Sequence, residues 1–404
     1  MKHIKNPHLL RHHLTHRITA RPVHRPLFCL TLLTLGLLLI STTLSAASPP
    51  IPAAPVVAAR AYLVLDVNSK KIIAEKNASQ RMEPASLTKL MTAYIVFSEL
   101  KSGNISIDEK VLISERAWRM QGSRMFIEVN KRVPVEALLK GMIIQSGNDA
   151  SVALAEHVAG SESTFADLMN NYAQNLGMND THYTNATGMP NKDHYTTASD
   201  LAKLSVRLIK DFPEYYEWYS IKKYTYNNIT QYNRNKLLWR DKNIDGLKTG
   251  HTESAGYCLI ASAKRDNMRL VSVVLGTKSE NARAQESLKL INYGFRFFET
   301  RPLYTANETL STAHVWEGQT DKLSLGLTDG IYITIPRGRY DKLKAEMSIE
   351  ENITAPVAKG TQLGTVKISL DGEEIMTRPL VALRDIHEGD FIQRMSDKFM
   401  RLFE

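Results

Sequence analysis

Apolar residues recur along this chain with two different periods. In RAYLVLDVNSKKIIAEKN, from Arg60 to Asn77, two apolar-rich runs flank a polar turn at Asn68-Ser69-Lys70, which predicts a β-hairpin. After Pro84 the spacing becomes three and four: Leu87, Leu90, Met91, Tyr94 and Ile95 form one buried helical stripe. Residues 135–144 and 151–159 predict two more apolar helices, separated by the polar knot QSGNDA. Helical patterns follow around 162–176 and 198–210. Strand character returns near Leu247, where AGYCLIASA and MRLVSVVLGT flank Lys264-Arg265-Asp266-Asn267 as a second hairpin, and 284–298 reads as a helix. Strands, a helical insertion, strands and a helix predict an α+β domain over 61–303, with one antiparallel sheet joining both ends of the segment.

From about Tyr304 the pattern changes to short alternating runs, LSLGL, IYITI and TVKISL, punctuated by Thr328-Asp329-Gly330 and Asp371-Gly372. This predicts a small β-rich domain over 304–389. The final segment, 390–404, puts Phe391, Ile392, Met395, Phe399, Leu402 and Phe403 on one helical face, with Arg394, Lys398 and Arg401 on the other. At the opposite end, a basic leader precedes LFCLTLLTLGLLLISTTL and the small residues Ser45-Ala46-Ala47-Ser48. Residues 1–46 therefore read as a secretory signal cleaved after Ala46 or Ala47, with an uncleaved membrane anchor as the alternative. A Pro/Ala linker, SPPIPAAP, lies within 47–60.

Charge changes this picture little. The net +9 of the 404 residues includes six Lys/Arg and no acid within 1–46, so the remainder carries +3 without a basic stripe. Nucleic acid is excluded as a partner. One of the two cysteines, Cys29, lies in the leader, which leaves Cys258 without an intramolecular partner. The leader's six histidines fall in a segment expected to be removed, and the other six are isolated along the chain. HExxH, GxGxxG and GxxxxGK are all absent, so no metal or organic cofactor is expected.

The remaining candidate chemistry is nucleophilic. In Ser86-Leu87-Thr88-Lys89 the i, i+3 spacing brings hydroxyl and amine to one helix face, and a helix N-terminus offers N–H groups to a developing oxyanion. A lysine serves as general base only if burial or a nearby cation lowers its pKa. Alone the pattern is weak: Ser98-Glu99-Leu100-Lys101 and Ser220-Ile221-Lys222-Lys223 share it, as a solvated helix end and a surface turn. Lys248-Thr249-Gly250, entering the returning strands, offers a cation, a hydroxyl and a glycine that would let substrate backbone approach. Ser146-Gly147-Asn148 has its own decoy, Ser102-Gly103-Asn104, which reads as a helix stop. Order carries the weight: Ser86, Ser146 and Lys248 are spaced by 60 and then 102 residues, each on the element its task requires.

In this ordered set, and in the contexts EPASLTKLMTAY, GMIIQSGNDASVALAEHVAG, TASDLAKLS, NRNKLLW and DGLKTGHTESAGYCLIASA, the chain resembles the active-site serine penicillin-binding and β-lactamase superfamily. More narrowly, it is similar to the low-molecular-mass D-alanyl-D-alanine carboxypeptidases from about Ala61 to the C-terminus. The resemblance implies that Ser86 attacks the penultimate carbonyl of peptidoglycan pentapeptide stems while Lys89 takes its proton. Ser146 would relay a proton to the leaving D-alanine, and Asn148 would hold Lys89 and the substrate amide. Lys248 would keep Lys89 neutral. Thr249, with Arg234, would bind the terminal carboxylate, and Gly250 would complete the strand. Backbone N–H groups of Ser86 and His251 would form the oxyanion hole, with Arg283 in support. The resemblance also implies β-lactams as acylating inhibitors and a periplasmic site at the inner-membrane surface, held by the C-terminal helix; a homodimer is left open. The loop Trp118-Arg119-Met120-Gln121-Gly122-Ser123 is shorter than its counterpart in well-known relatives, which detaches any inference about deacylation from that loop. The competing readings are a β-lactamase, disfavoured by the lack of a glutamate in the expected context after Asn148, a transpeptidase or endopeptidase, and a non-catalytic wall-binding module.

Overall fold

The computed structural model describes residues 51–401 together with the backbone of a short strand, Lys2–Lys5. The predicted signal otherwise lies outside the described residues, as do Leu402 and Phe403 of the predicted tail face. Two compact units emerge among the described residues: one comprises residues 51–304 and 331–337, the other residues 305–330 and 338–401 with Lys2–Lys5.

The first unit is built on a five-stranded antiparallel sheet. Strands β1 (Ala61–Asp66) and β2 (Ile72–Lys76) form the first hairpin; β3 (Ile244–Thr252), β4 (Gly256–Arg265) and β5 (Met268–Thr277) return after the helical insertion. The spatial order is β2-β1-β5-β4-β3, so β5 pairs with β1 and closes the sheet across the whole insertion. Alternation along the strands sorts two cores. Leu63, Leu65, Ile260, Val271 and Val273 face the insertion, while Tyr62, Val64, Leu259, Leu270 and Val274 face Leu290, Ile291 and Phe295 of the last helix, Glu280–Phe297. Within the insertion, helix α1 (Lys89–Lys101) is buried continuously from Lys89 to Phe97, as expected of a helix apolar on all sides. Helices α2 (Val135–Lys140), α3 (Asn148–Ala159), α4 (Glu162–Asn175) and α5 (Ala198–Asp211) surround it.

Two features depart from the expected pattern. The linker ends before residue 60, because Val57 and Ala59 are already buried in the outer core. The run IYITI pairs as strand Ile331–Pro336 with Phe298–Tyr304 in a two-stranded ladder of its own, apart from the larger C-terminal sheet. Its buried Ile331, Ile333 and Ile335 explain why it needs a partner sheet, while its alternation is silent about which.

The second unit is a mainly antiparallel sheet in which Leu343–Ile349, Gln362–Leu370 and Glu373–Ala382 pair in sequence, with Leu323, Leu325, Val366, Ile368 and Leu380 buried. The C-terminal helix Phe391–Met400 starts at an Asp390 cap, whose side chain accepts from Gln393 N. Its polar side engages this unit: Asp397 Oδ2 accepts from Glu317 N at 2.6 Å, and the Arg401 guanidinium lies 5.8 Å from the Trp316 ring centre. Phe391, Ile392, Met395 and Phe399 are 54–78% exposed. No helix among the described residues is long and apolar enough to cross a membrane.

Candidate active site

Ser86 lies in a single 3-10 turn, Ala85–Thr88, that runs into α1, rather than on the α-helix itself. Pro84 precedes the turn and Ala85 is left-handed at φ 49°, a conformation an alanine holds only when its surroundings over-determine it. One such surrounding is Gly188, where a Cβ would stand 1.8 Å from the Ala85 carbonyl oxygen; only glycine permits this approach. The expected i, i+3 meeting is realised, with Lys89 Nζ 3.1 Å from Ser86 Oγ. The same Nζ donates to Asn148 Oδ1 at 2.7 Å and to the Thr187 carbonyl at 2.6 Å. Lys89 is 1% exposed.

Ser146 and Asn148 are placed by a change of helical pitch. Helix α2 widens into a π-type turn, Gly141–Gln145, which stops at Ser146 in the left-handed region, φ 69° and ψ 35°. Helix α3 then begins at Asn148, three residues earlier than apolar spacing indicates, because the Ser123 carbonyl accepts the Asn148 N–H at 2.7 Å. Asn148 Nδ2 donates to the Gln121 carbonyl at 2.6 Å, leaving Oδ1 for Lys89. Next to it the buried Asp149 carboxylate accepts from the backbone N–H groups of Met125, Phe126 and Ile127 and ties the 123–127 segment to α3.

Strand β3 carries Lys248, whose Nζ donates to Ser146 Oγ at 2.8 Å and to the Thr249 carbonyl at 3.0 Å. Gly250 lines the cleft and has a packing role as well. A Cβ there would meet Pro84 O at 3.0 Å, Ala85 Cβ at 3.2 Å and Leu87 Cγ at 3.3 Å, so the glycine also lets β3 pack against the nucleophile's turn. Arg283 Nη1 donates to the Gly250 carbonyl at 3.2 Å, and Arg234 Nε donates to the Gln145 carbonyl at 3.0 Å. Ser86, Ser146, Asn148, Thr249, Gly250, His251, Arg234 and Arg283 converge on one cleft of about 210 Å³. Lys89 and Lys248 sit buried beneath it.

Burial, followed by the charge of Arg234, lowers Lys89 to about 7, against the smaller pull of Asp149 and Glu162. Repulsion between two amines is mutual, so desolvation and Arg234 join Lys248, the cation expected from sequence, in disfavouring the charged form of Lys89. Lys248 is itself held well below its ordinary value by burial, then by Lys89, Arg234 and Arg283.

A family model for D-alanyl-D-alanine carboxypeptidase matches residues 47–279, and one for the C-terminal domain of penicillin-binding protein 5 matches 298–388. The D-alanyl-D-alanine carboxypeptidase DacA of Escherichia coli K12 is 43% identical over 362 residues, spanning 87% of this chain and 90% of the relative. The chain belongs to the D-alanyl-D-alanine carboxypeptidase family. Among solved structures, penicillin-binding protein 5 from Haemophilus influenzae is 41% identical with a TM-score of 0.80, over 83% of this chain and 100% of its own. Penicillin-binding protein D2 from Listeria monocytogenes, solved with ampicillin bound, is 33% identical with a TM-score of 0.56, over 60% of this chain and 100% of its own.

In this carboxypeptidase the sequence decoys are occupied elsewhere. Ser98 Oγ accepts from Tyr172 OH and Lys101 donates to the Asp211 carbonyl, while Ser220 bonds back to Glu217. Gly103, at φ 73°, closes α1 as the expected stop. Sequence reasoning missed the opposite wall, Thr187, Gly188 and Met189, and the backbone carbonyl of Gln121. Thr187 and Gln121 act through carbonyls, which any residue supplies; only Asn185-Ala186-Thr187-Gly188, a turn-forming run, carried a local signal.

Proposed function

We propose that this enzyme removes the terminal D-alanine of peptidoglycan pentapeptide stems through an acyl-enzyme on Ser86, and that β-lactams acylate the same serine. The observation that carries the mechanism is the set of partners around Lys89 Nζ. A neutral amine has two N–H groups and one lone pair: the N–H groups match Asn148 Oδ1 and the Thr187 carbonyl, and the lone pair is left for the Ser86 hydroxyl at 3.1 Å. Ser86 is thereby activated for attack. Ser146, fed by Lys248, stands ready to pass a proton to the departing amine. Thr249 and Arg234 line the cleft where a carboxylate would bind, and the Arg234 guanidinium adds positive potential for an anionic intermediate. The N–H groups of Ser86 and His251 are the proposed oxyanion donors, and water then releases a tetrapeptide.

We also propose that the chain is exported and sits on the periplasmic face of the inner membrane, its tail helix lying in the interface. The exposed row of Phe391, Ile392, Met395 and Phe399, opposite a side that engages Glu317 and Trp316, supports this reading.

The test is incubation with a synthetic pentapeptide muropeptide and mass spectrometry of the products. Tetrapeptide and free D-alanine are expected, whereas a cross-linked dimer would indicate transpeptidation. Ser86→Ala should abolish both turnover and labelling by fluorescent penicillin; persistence of either would sink the nucleophile assignment.

A further inference from the structure

The nucleophile's turn is braced from beneath by the segment 184–194, which the chemistry above uses only through one carbonyl. Asn185 Oδ1 accepts from the backbone N–H groups of Thr187, Gly188 and Met189 at 3.1, 2.7 and 3.1 Å and folds the segment into a tight loop. This loop meets the turn at successive residues: Gly188 lies against Ala85, the Thr187 carbonyl takes Lys89, and the His194 ring reaches Thr88.

His194 is 2% exposed, and its tautomer follows from its neighbours. The Thr184 backbone N–H donates to Nδ1 at 3.1 Å, and a backbone N–H can only donate, so Nδ1 holds the lone pair. In the neutral ring the proton is then on Nε2, which donates to Thr88 Oγ1 at 2.8 Å. Burial, then His182 and Lys89, lower His194 to about 4, so the ring is neutral at neutral pH. Its face meets Tyr183 edge-on, with centroids 5.6 Å apart at 74°. Thr88 is itself fully buried between Ser86 and Lys89 in sequence, and its hydroxyl has no catalytic task in the mechanism.

We infer that His194 is a positioning residue for acylation: its Nε2–H bond to Thr88 fixes the pitch of the 85–88 turn and so the distance between Ser86 Oγ and Lys89 Nζ. The inference rests on the reading of Ser86 as nucleophile. It differs from a mere anchoring of the 184–194 loop, for which the Nδ1 contact to Thr184 would suffice.

Two substitutions separate these roles. His194→Asn keeps an acceptor at the Nδ1 position but cannot reach Thr88; His194→Gln places an amide N–H where Nε2 stood. The second-order rate constant for acylation by fluorescent penicillin is expected to fall about tenfold to a hundredfold in His194→Asn and to recover most of that loss in His194→Gln. Thr88→Val should match His194→Asn, Thr88→Ser should acylate as the parent does, and the double variant should lose no more than either single one. If His194→Asn fails to fold by circular dichroism, the Thr88→Val and Thr88→Ser pair decides alone. Parent-like acylation in Thr88→Val, or a Gln variant no faster than a folded Asn variant, would overturn the inference. Peptide mapping of the labelled parent keeps the two readings apart: label off Ser86 defeats the nucleophile assignment, whereas label on Ser86 with unaffected variants defeats only the positioning role.

Discussion

At the scale of single residues, the decisive quantity is the protonation of Lys89. Only its neutral form can take the Ser86 proton, and with the amine lowered to about 7 the acylation rate should rise with pH through that value and level off above it. Arg234 is the second cause of the lowering, after burial. In Arg234→Gln that push is gone, Lys89 stays protonated to higher pH, and the rising limb should move upward. A pH profile of penicillin acylation checks this, and a limb that stays in place would show that the base is set without Arg234. Ser86 and Lys89 were readable from spacing, since i and i+3 must share a helix face. Burial of the lysine was foreseeable from the apolar stripe, but the share of Arg234 was not, because it stands 145 residues away in sequence and its proximity is created by the fold.

At the scale of elements, the periods of two and of three-to-four located the central sheet and the long helices, but missed short ladders such as Lys110–Leu112 with Arg132–Pro134 and two turns that build the site. Ser86 occupies a 3-10 turn and Ser146 ends a π-type turn. Both are local changes of pitch that leave the apolar pattern almost untouched, so periodicity cannot register them. Gly250 shows the same limit: its sequence context marks it as special, but its packing on Pro84, Ala85 and Leu87 emerges only in three dimensions. Gly250→Ala should push the turn away from β3 by a few tenths of an ångström and lower penicillin acylation by about tenfold or more. A small change in melting temperature would accompany it, and an unaltered acylation rate in the folded variant would refute the assigned packing role.

At the scale of the whole molecule, the proposed function divides between the cleft of the first unit and the tail of the second. A chain beginning at Ala47 should co-sediment with vesicles containing anionic phospholipid, and the same chain lacking 390–404 should not, while both acylate with penicillin equally. Each large apolar side chain that leaves water completely contributes roughly 1.5–3 kcal/mol, which is the scale of effect the proposed anchoring requires of four such residues. Equal sedimentation of the two would remove the tail from this role. Amphipathic spacing exposed the tail in sequence, whereas its orientation depended on Asp397 and Arg401 finding Glu317 and Trp316. Likewise, alternation in IYITI announced a strand but could not choose its sheet, since a strand's period is the same whichever partner it finds. The sequence by itself determined the α+β class, the motif order Ser86, Ser146, Lys248 and the family, because these depend on residue type and spacing along one dimension. Only the tertiary structure decided which further cation depresses Lys89, which carbonyl receives it, and which histidine braces the nucleophile's turn. Those are contacts between segments far apart in the chain, and distance in sequence carries no information about them until the sheet closes over the insertion.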